Sequence, residues 1–248
     1  MDSEKWNGFD KKEFEFEGRH AIIVFPKEAE EKGNWTLKTE YWGAFPETEI
    51  ALLNLGFHAA YLENTSRFAP PDDCDAKHRF VEYISREYGL KPKCVPVGMS
   101  CGGAHAMNFA AAYPDDIVCM FLDAPVLNFL SFPGKLGNAD CEYIWKDEFI
   151  KAYPEITRAK LLDFKNHPMN AIDTVIEHKI PIIMLYGTED NTVIYEENGK
   201  ILEDAYENAN TNANDLLKVI PRIYQGHHPH GLLNDSVPIT DFIIEHTR

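Results

Sequence analysis

The sequence predicts an α/β fold built on a mostly parallel sheet, and three observations carry that expectation. Short apolar runs recur along the chain, among them Ala21–Phe25 (AIIVF), Cys94–Val97 (CVPV), Ile117–Leu122 (IVCMFL) and Ile182–Tyr186 (IIMLY). Such unbroken runs suit strands covered on both faces. Between them lie stretches of helical character, several closed by Gly or Pro, as right-handed βαβ crossovers require. Finally, 248 residues lie within the range of one large α/β domain and can bury a core without disulfides or metals.

The elements follow in order. Glu13–Glu17 alternates charge and Phe (EFEFE), the period of a half-buried antiparallel strand, and Gly18 turns it into Ala21–Phe25. Residues 26–46 read as a long connection carrying Trp35, Tyr41 and Trp42. Thr48–Leu55 reads as a helix closed by Gly56, before a strand at Phe57–Leu62. A helix from Ala76 to Tyr88, ended by Gly89, leads into Cys94–Val97. Cys101–Tyr113 is helical up to Pro114, and Ile117–Leu122 is the next strand. Residues 125–170 are irregular and aromatic. A helix at Ile172–His178, the strand Ile182–Tyr186, a helix at Tyr195–Ala209, a strand at Leu217–Tyr224 and a helix from Ile239 complete the pattern. No repeat or linker interrupts it, so residues 1–248 are expected to be a single domain.

Composition excludes several classes of function. The net charge is −16, from 24 Lys+Arg against 40 Asp+Glu, which repels polyanions and argues against a broad nucleic-acid surface. The five Cys (74, 94, 101, 119 and 141) are scattered with no C-x-x-C pair, unlike zinc ribbons, redox motifs or disulfide frameworks. The segment MDSEKWNGFDKKEFEFEG has no apolar core of a signal peptide, and no apolar run approaches the about 18 residues of a membrane span. A soluble cytoplasmic protein without a membrane partner is the expectation. Oligomeric state is not legible.

In α/β sheets, ligands bind beyond the carboxyl ends of the strands, so residues just after each strand come first. Gly98-Met99-Ser100-Cys101-Gly102 lies between a strand and a helix. The sharp turn this demands leaves room only for small residues two places either side of its centre. It lifts the Ser100 hydroxyl above the sheet and turns the Cys101 amide toward a developing oxyanion. Cys101 is a rival nucleophile, but centring the turn on it puts bulky Met99 in the small position.

A serine needs a base, itself oriented by an acid. Gly226-His227-His228-Pro229-His230 follows the last strand, and His227 at the strand exit is the favoured base, with His230 next. A metal tract is the alternative reading. It is disfavoured because no Asp, Glu or Cys shares the segment and the spacing suits no helix face, so no metal is expected. For the acid, Asp190 after IIMLY is favoured over Asp123, which ends IVCMFL.

The order Ser100, Asp190, His227, with GMSCGG, GTEDNTV and GHHPHGL around them, resembles the α/β-hydrolase superfamily over nearly the whole chain. More narrowly the chain is similar to hydrolases related to prolyl-oligopeptidase-type and dienelactone-hydrolase-type domains. The shared segments are Asn34-Trp35-Thr36-Leu37-Lys38, Ala51–His58, Leu122–Pro125 and Gly226–His230. One departure is Cys101, where that group usually has Arg.

The resemblance implies a sheet flanked by helices, with a short cap insertion of about residues 125–170 after the sixth strand. It also implies acyl transfer without a cofactor: His227 as base, Asp190 as its partner, and the Cys101 amide as one oxyanion donor. The second donor would come from the loop Phe25-Pro26-Lys27-Glu28-Ala29. Pro26 has no amide hydrogen, which leaves Lys27 or Glu28. Aromatics of the cap (Phe129, Phe132, Tyr143, Trp145, Phe149, Tyr153) and of the opposite loop could enclose an acyl or sugar group, with Trp35 and Trp145 the candidate substrate contacts. The plainer reading is that most of them pack the cap onto the body. A short cap leaves access open to a small carboxylic ester, such as an acylated carbohydrate. A peptidase, an acyltransferase and a catalytically silent binding protein stand as alternatives.

Overall fold

The EFEFE alternation folds as expected: Phe14 and Phe16 of one strand pack on Phe80 and Tyr83 of a helix beneath, while Glu13 and Glu15 face solvent. In this computed structural model, residues 4–139, 141–209, 216–232 and 235–248 are described. Nine strands form one sheet: β1 (Glu4–Trp6), β2 (Phe9–Phe16), β3 (Arg19–Phe25), β4 (Trp35–Lys38), β5 (His58–Leu62), β6 (Val95–Met99), β7 (Met120–Asp123), β8 (Ile182–Gly187) and β9 (Leu217–Arg222). Their spatial order is β1-β2-β3-β5-β4-β6-β7-β8-β9. The pairs β1/β2, β2/β3 and β3/β5 are antiparallel; every other neighbour is parallel.

Alternation along the strands gives the sheet two apolar faces. Val95, Val97, Phe121, Ile183 and Leu185 point to one, against α1 (Glu47–Asn54) and the helix Val237–Thr247. Ile23, Leu37, Leu122, Ile182 and Met184 point to the other, against α2 (Pro71–Tyr88), α3 (Cys101–Ala112) and the helices Ile172–Glu177 and Gly199–Asn208. The helix α2 starts five residues before the expected Ala76, because Pro71 suits its first turn and Asp72 and Asp73 follow at its positive end. Among the described residues, no helix is long and apolar enough to cross a membrane.

Two departures from the sequence reading matter for the site. The connection 26–46 contains a central strand, β4, inserted between β5 and β6. In addition, the irregular insertion follows the seventh strand along the chain, not the sixth, since β1 and β4 join the five strands read from the sequence before it. The four residues of β4 are all buried, including Lys38, whose Nζ lies 2.7 Å from Oε1 of the equally buried Glu49. Lys38 also donates to the Ala44 carbonyl at 3.2 Å, tying the loop after β4 to the pair.

Breaking a buried pair on one side leaves an uncompensated charge, so Lys38→Met is expected to cost about 3–5 kcal/mol. Adding Glu49→Leu should recover most of that loss. Urea midpoints of the single and double variants check both statements.

Candidate active site

The chain leaves β6 at Met99 and enters α3 at Cys101, so Ser100 alone makes the turn, at φ 51° and ψ −120°. Glycine is required beside it: a Cβ on Gly98 would lie 2.6 Å from the Gly102 carbonyl oxygen. The turn is pinned from the next strand, where the Ser100 amide donates to the Asp123 carbonyl at 2.9 Å. The first amide of a helix has no helical acceptor, which leaves the Cys101 N–H free to face an anion above the sheet.

Two more strand ends meet this turn. Gly187, at the exit of β8, approaches the loop after β9 so closely that a Cβ there would fall 2.3 Å from the Gly226 carbonyl oxygen. Backbone bonds from Glu189 to Gln225 (2.9 Å) and from Thr188 to Arg222 (3.2 Å) fix the two loops together. Asp190 and His227 are thereby aligned. His227 Nδ1 lies 2.7 Å from Asp190 Oδ2, and its Nε2 lies 3.0 Å from Ser100 Oγ. The other oxygen of Asp190 accepts the amides of Thr192 and Val193, at 2.8 and 2.9 Å. Burial alone would raise the Asp190 pKa, but the His227 hydrogen bond and charge and these two amides outweigh it and hold the carboxyl below its usual range. Asp190 therefore stays ionised at neutral pH. The stability it adds is present above the ordinary carboxylate range and is lost as pH falls through its depressed pKa.

The two rival residues from the sequence form a pair of their own. Asp123, fully buried, accepts the Gly231 amide at 2.5 Å and lies 2.9 Å from Arg222 Nη2 and 3.3 Å from His230 Nδ1. Arg222 in turn donates to the Pro229 carbonyl. This cluster holds the far side of the histidine loop, and the contacts of the Asp123 carboxylate run to Gly231, Arg222 and His230 rather than to His227. His228 stacks on Phe45, with ring centroids 5.6 Å apart. Burial and the neighbouring His227 and His230 push its pKa down.

Cys101, in contrast, is sealed beneath the turn. Its thiol is fully buried, and burial raises its pKa to about 11 against the opposing pull of Arg67. Thiolate is the reactive form, so iodoacetamide at pH 8 is expected to leave Cys101 unmodified and Cys101→Ala to keep most activity. Intact-mass and rate measurements check this; alkylation with loss of turnover would make the thiol the nucleophile.

The structure does not bring the remaining predicted site residues here. Because β3 runs antiparallel to β5, with Val24 opposite Ala59, the loop after β3 lies at the opposite end of the sheet from Ser100. Lys27 sits there, 5.6 Å over the Phe9 ring, and is displaced as the second oxyanion donor. The loop at the correct end follows β4, where Tyr41 lines the cavity above Ser100. Trp35 is buried at the start of β4 and donates to the Lys91 carbonyl, far from the cavity mouth. Trp145 stacks on Phe149 within the apolar cluster that joins the insertion to Phe68 and Cys101, with Arg158 over its ring. Neither tryptophan lines the cavity.

That cavity, about 280 Å³, has an apolar wall that includes Phe45, Phe132 and Ile144, and Tyr41, Arg67, Thr192 and the three histidines join Ser100 among its polar groups. Arg67 is a residue the sequence reading missed. It follows β5 by a few positions, so the strand-end rule applied to Phe57–Leu62 would have reached it. Its guanidinium pairs with Glu148 and donates to the Tyr41 hydroxyl at 3.4 Å, while Nε has no partner among the described residues.

No protein-family model matches the chain. No curated protein matches it either. Solved structures do. A prolyl endopeptidase structure superposes with a TM-score of 0.68 at 16% identity, over 96% of this chain and 39% of that one. The puromycin-hydrolyzing peptidase of Mycobacterium tuberculosis gives 0.69 at 12% identity, over 89% and 36%. The acylaminoacyl peptidase of Pyrococcus horikoshii gives 0.64 at 15% identity, over 88% and 37%. The chain thus spans 36–39% of the length of these three proteins.

Proposed function

Starting from the α/β-hydrolase fold that these neighbours share with the chain, we propose that the protein is a serine hydrolase acting through an acyl-enzyme, with small aminoacyl or peptide amides as its substrate class. The observation that carries the reading is the unbroken line from Asp190 through His227 to Ser100, with spacings of 2.7 and 3.0 Å. In the reaction, His227 Nε2 takes the Ser100 proton as Oγ attacks the acyl carbon, and Nδ1–H stays on ionised Asp190. The tetrahedral oxyanion faces the Cys101 amide, with a second donor from the loop after β4. His227 then protonates the leaving group, and water repeats the attack.

From the sequence alone, carboxylic esters come ahead of amides as the expected substrates. The order is reversed here because the structural neighbours carry peptidase names, whereas the tryptophans that suggested a sugar or acyl platform lie outside the cavity. A volume of about 280 Å³ suits one small side chain rather than a long peptide. Labelling with a fluorophosphonate and peptide mapping tests the chemistry: adduct at Ser100 is expected, and its absence overturns the reading. Comparing kcat/KM on aminoacyl arylamides and p-nitrophenyl esters tests the class. Ester turnover with no arylamide turnover would return the assignment to carboxylic esters.

A further inference from the structure

We propose that His227, His228 and His230 form a site for one d-block dication, zinc above all, and that occupying it excludes turnover; this second half rests on the serine-hydrolase reading. The three imidazoles form a nearly equilateral triangle, with centroids 4.8, 4.9 and 5.0 Å apart and ring planes crossing at 67°, 80° and 90°. One nitrogen from each lies within 4.8 Å of the others. A four-coordinate zinc with Zn–N bonds of about 2.0–2.1 Å needs its donor nitrogens about 3.4 Å apart, so the three rings close on the ion by turning inward.

The segment has no carboxylate of its own, but the fold supplies two. Asp190 stands behind His227 Nδ1 at 2.7 Å, and Asp123 stands 3.3 Å from His230 Nδ1. Carboxylates in that position orient ligating imidazoles and strengthen them as donors, and they leave Nε2 for the metal. With His230 Nδ1 facing Asp123, its Nε2 is left for an ion, and among the described residues no hydrogen bond engages either ring nitrogen of His228. All three rings line the cavity over Ser100, which gives an ion its way in.

Exclusion follows from one lone pair. His227 Nε2 accepts the Ser100 hydroxyl at 3.0 Å. A metal bound there takes that lone pair, the hydroxyl keeps its proton, and the base is lost.

Titrating metal-free protein with Co²⁺ reads the site directly through tetrahedral d–d absorption, with Zn²⁺ as competitor. One ion per chain is expected, with binding weakened by ~10²-fold or more in His228→Ala and retained in Ser100→Ala. No Co²⁺ binding by the wild type, or binding indifferent to His228→Ala, overturns the site. In parallel, saturating Zn²⁺ should slow fluorophosphonate labelling of Ser100 at least ~10-fold, reversed by chelator. Labelling at an unchanged rate with metal bound overturns the exclusion. Protein that is never labelled, even metal-free, refutes the hydrolase reading, while the Co²⁺ titration still decides the site.

Discussion

Ser100→Ala is expected to lower kcat/KM by ~10⁴–10⁶ on any ester or amide the wild type cleaves, and to leave the urea midpoint unchanged. Both halves follow from the turn. The Ser100 hydroxyl makes one side-chain contact, to His227, and the residue is 7% exposed, so its removal opens no core cavity. Alanine adopts the same positive φ at similar cost, and Gly98 and Gly102 still close the turn. Steady-state kinetics beside equilibrium unfolding separate the two effects. Turnover surviving in the variant would move the nucleophile away from Ser100.

His227→Ala should be equally severe, at ~10⁴–10⁶, whereas His230→Ala should keep measurable kcat with an altered KM. The sequence runs His-His-Pro-His, and composition alone does not rank its members. Geometry does. The Nε2 of His227 is within hydrogen-bond reach of Ser100, while His230 faces the carboxylate of Asp123 and the edge of Phe45. Kinetics of both variants on one substrate decide the matter, and the reverse pattern would transfer the base to His230.

What the sequence made legible tracks how strongly each segment is patterned. The turn around Ser100 is encoded by steric exclusion at glycines, and Asp190 and His227 by their places just past apolar strands; all three converge in the structure. The strand β4 is the opposite case. Its residues, Trp-Thr-Leu-Lys, are buried on both faces yet include two polar side chains, and Lys38 is neutralised by Glu49 from α1. No local pattern announces a strand whose burial depends on a partner eleven residues away. With β4 hidden, the resemblance falls on the loop Phe25–Ala29 after β3 for the second oxyanion donor, and its candidate Lys27 lies at the end of the sheet opposite Ser100. The cap aromatics were ambiguous for a different reason: apolar rings that face a cavity and rings that pack an insertion carry the same sequence signal. Phe132 and Tyr143 took the first role, and Phe129, Trp145 and Phe149 the second.

The buried carboxylate of Asp123 has a consequence for the entropy of aligning the histidine loop with Ser100. It grips the Gly231 amide, the Arg222 guanidinium and the neighbourhood of His230, while Arg222 reaches on to the Pro229 carbonyl. Residues 229–231 are therefore bolted to the ends of β7 and β9 rather than left to wander as surface loops do. Ordering one backbone residue costs roughly 1–2 kcal/mol, and a free loop would meet that cost whenever its imidazole had to find the nucleophile. Here the cost is met once, when the chain folds, so under the proposed mechanism His227 starts already in register with Ser100.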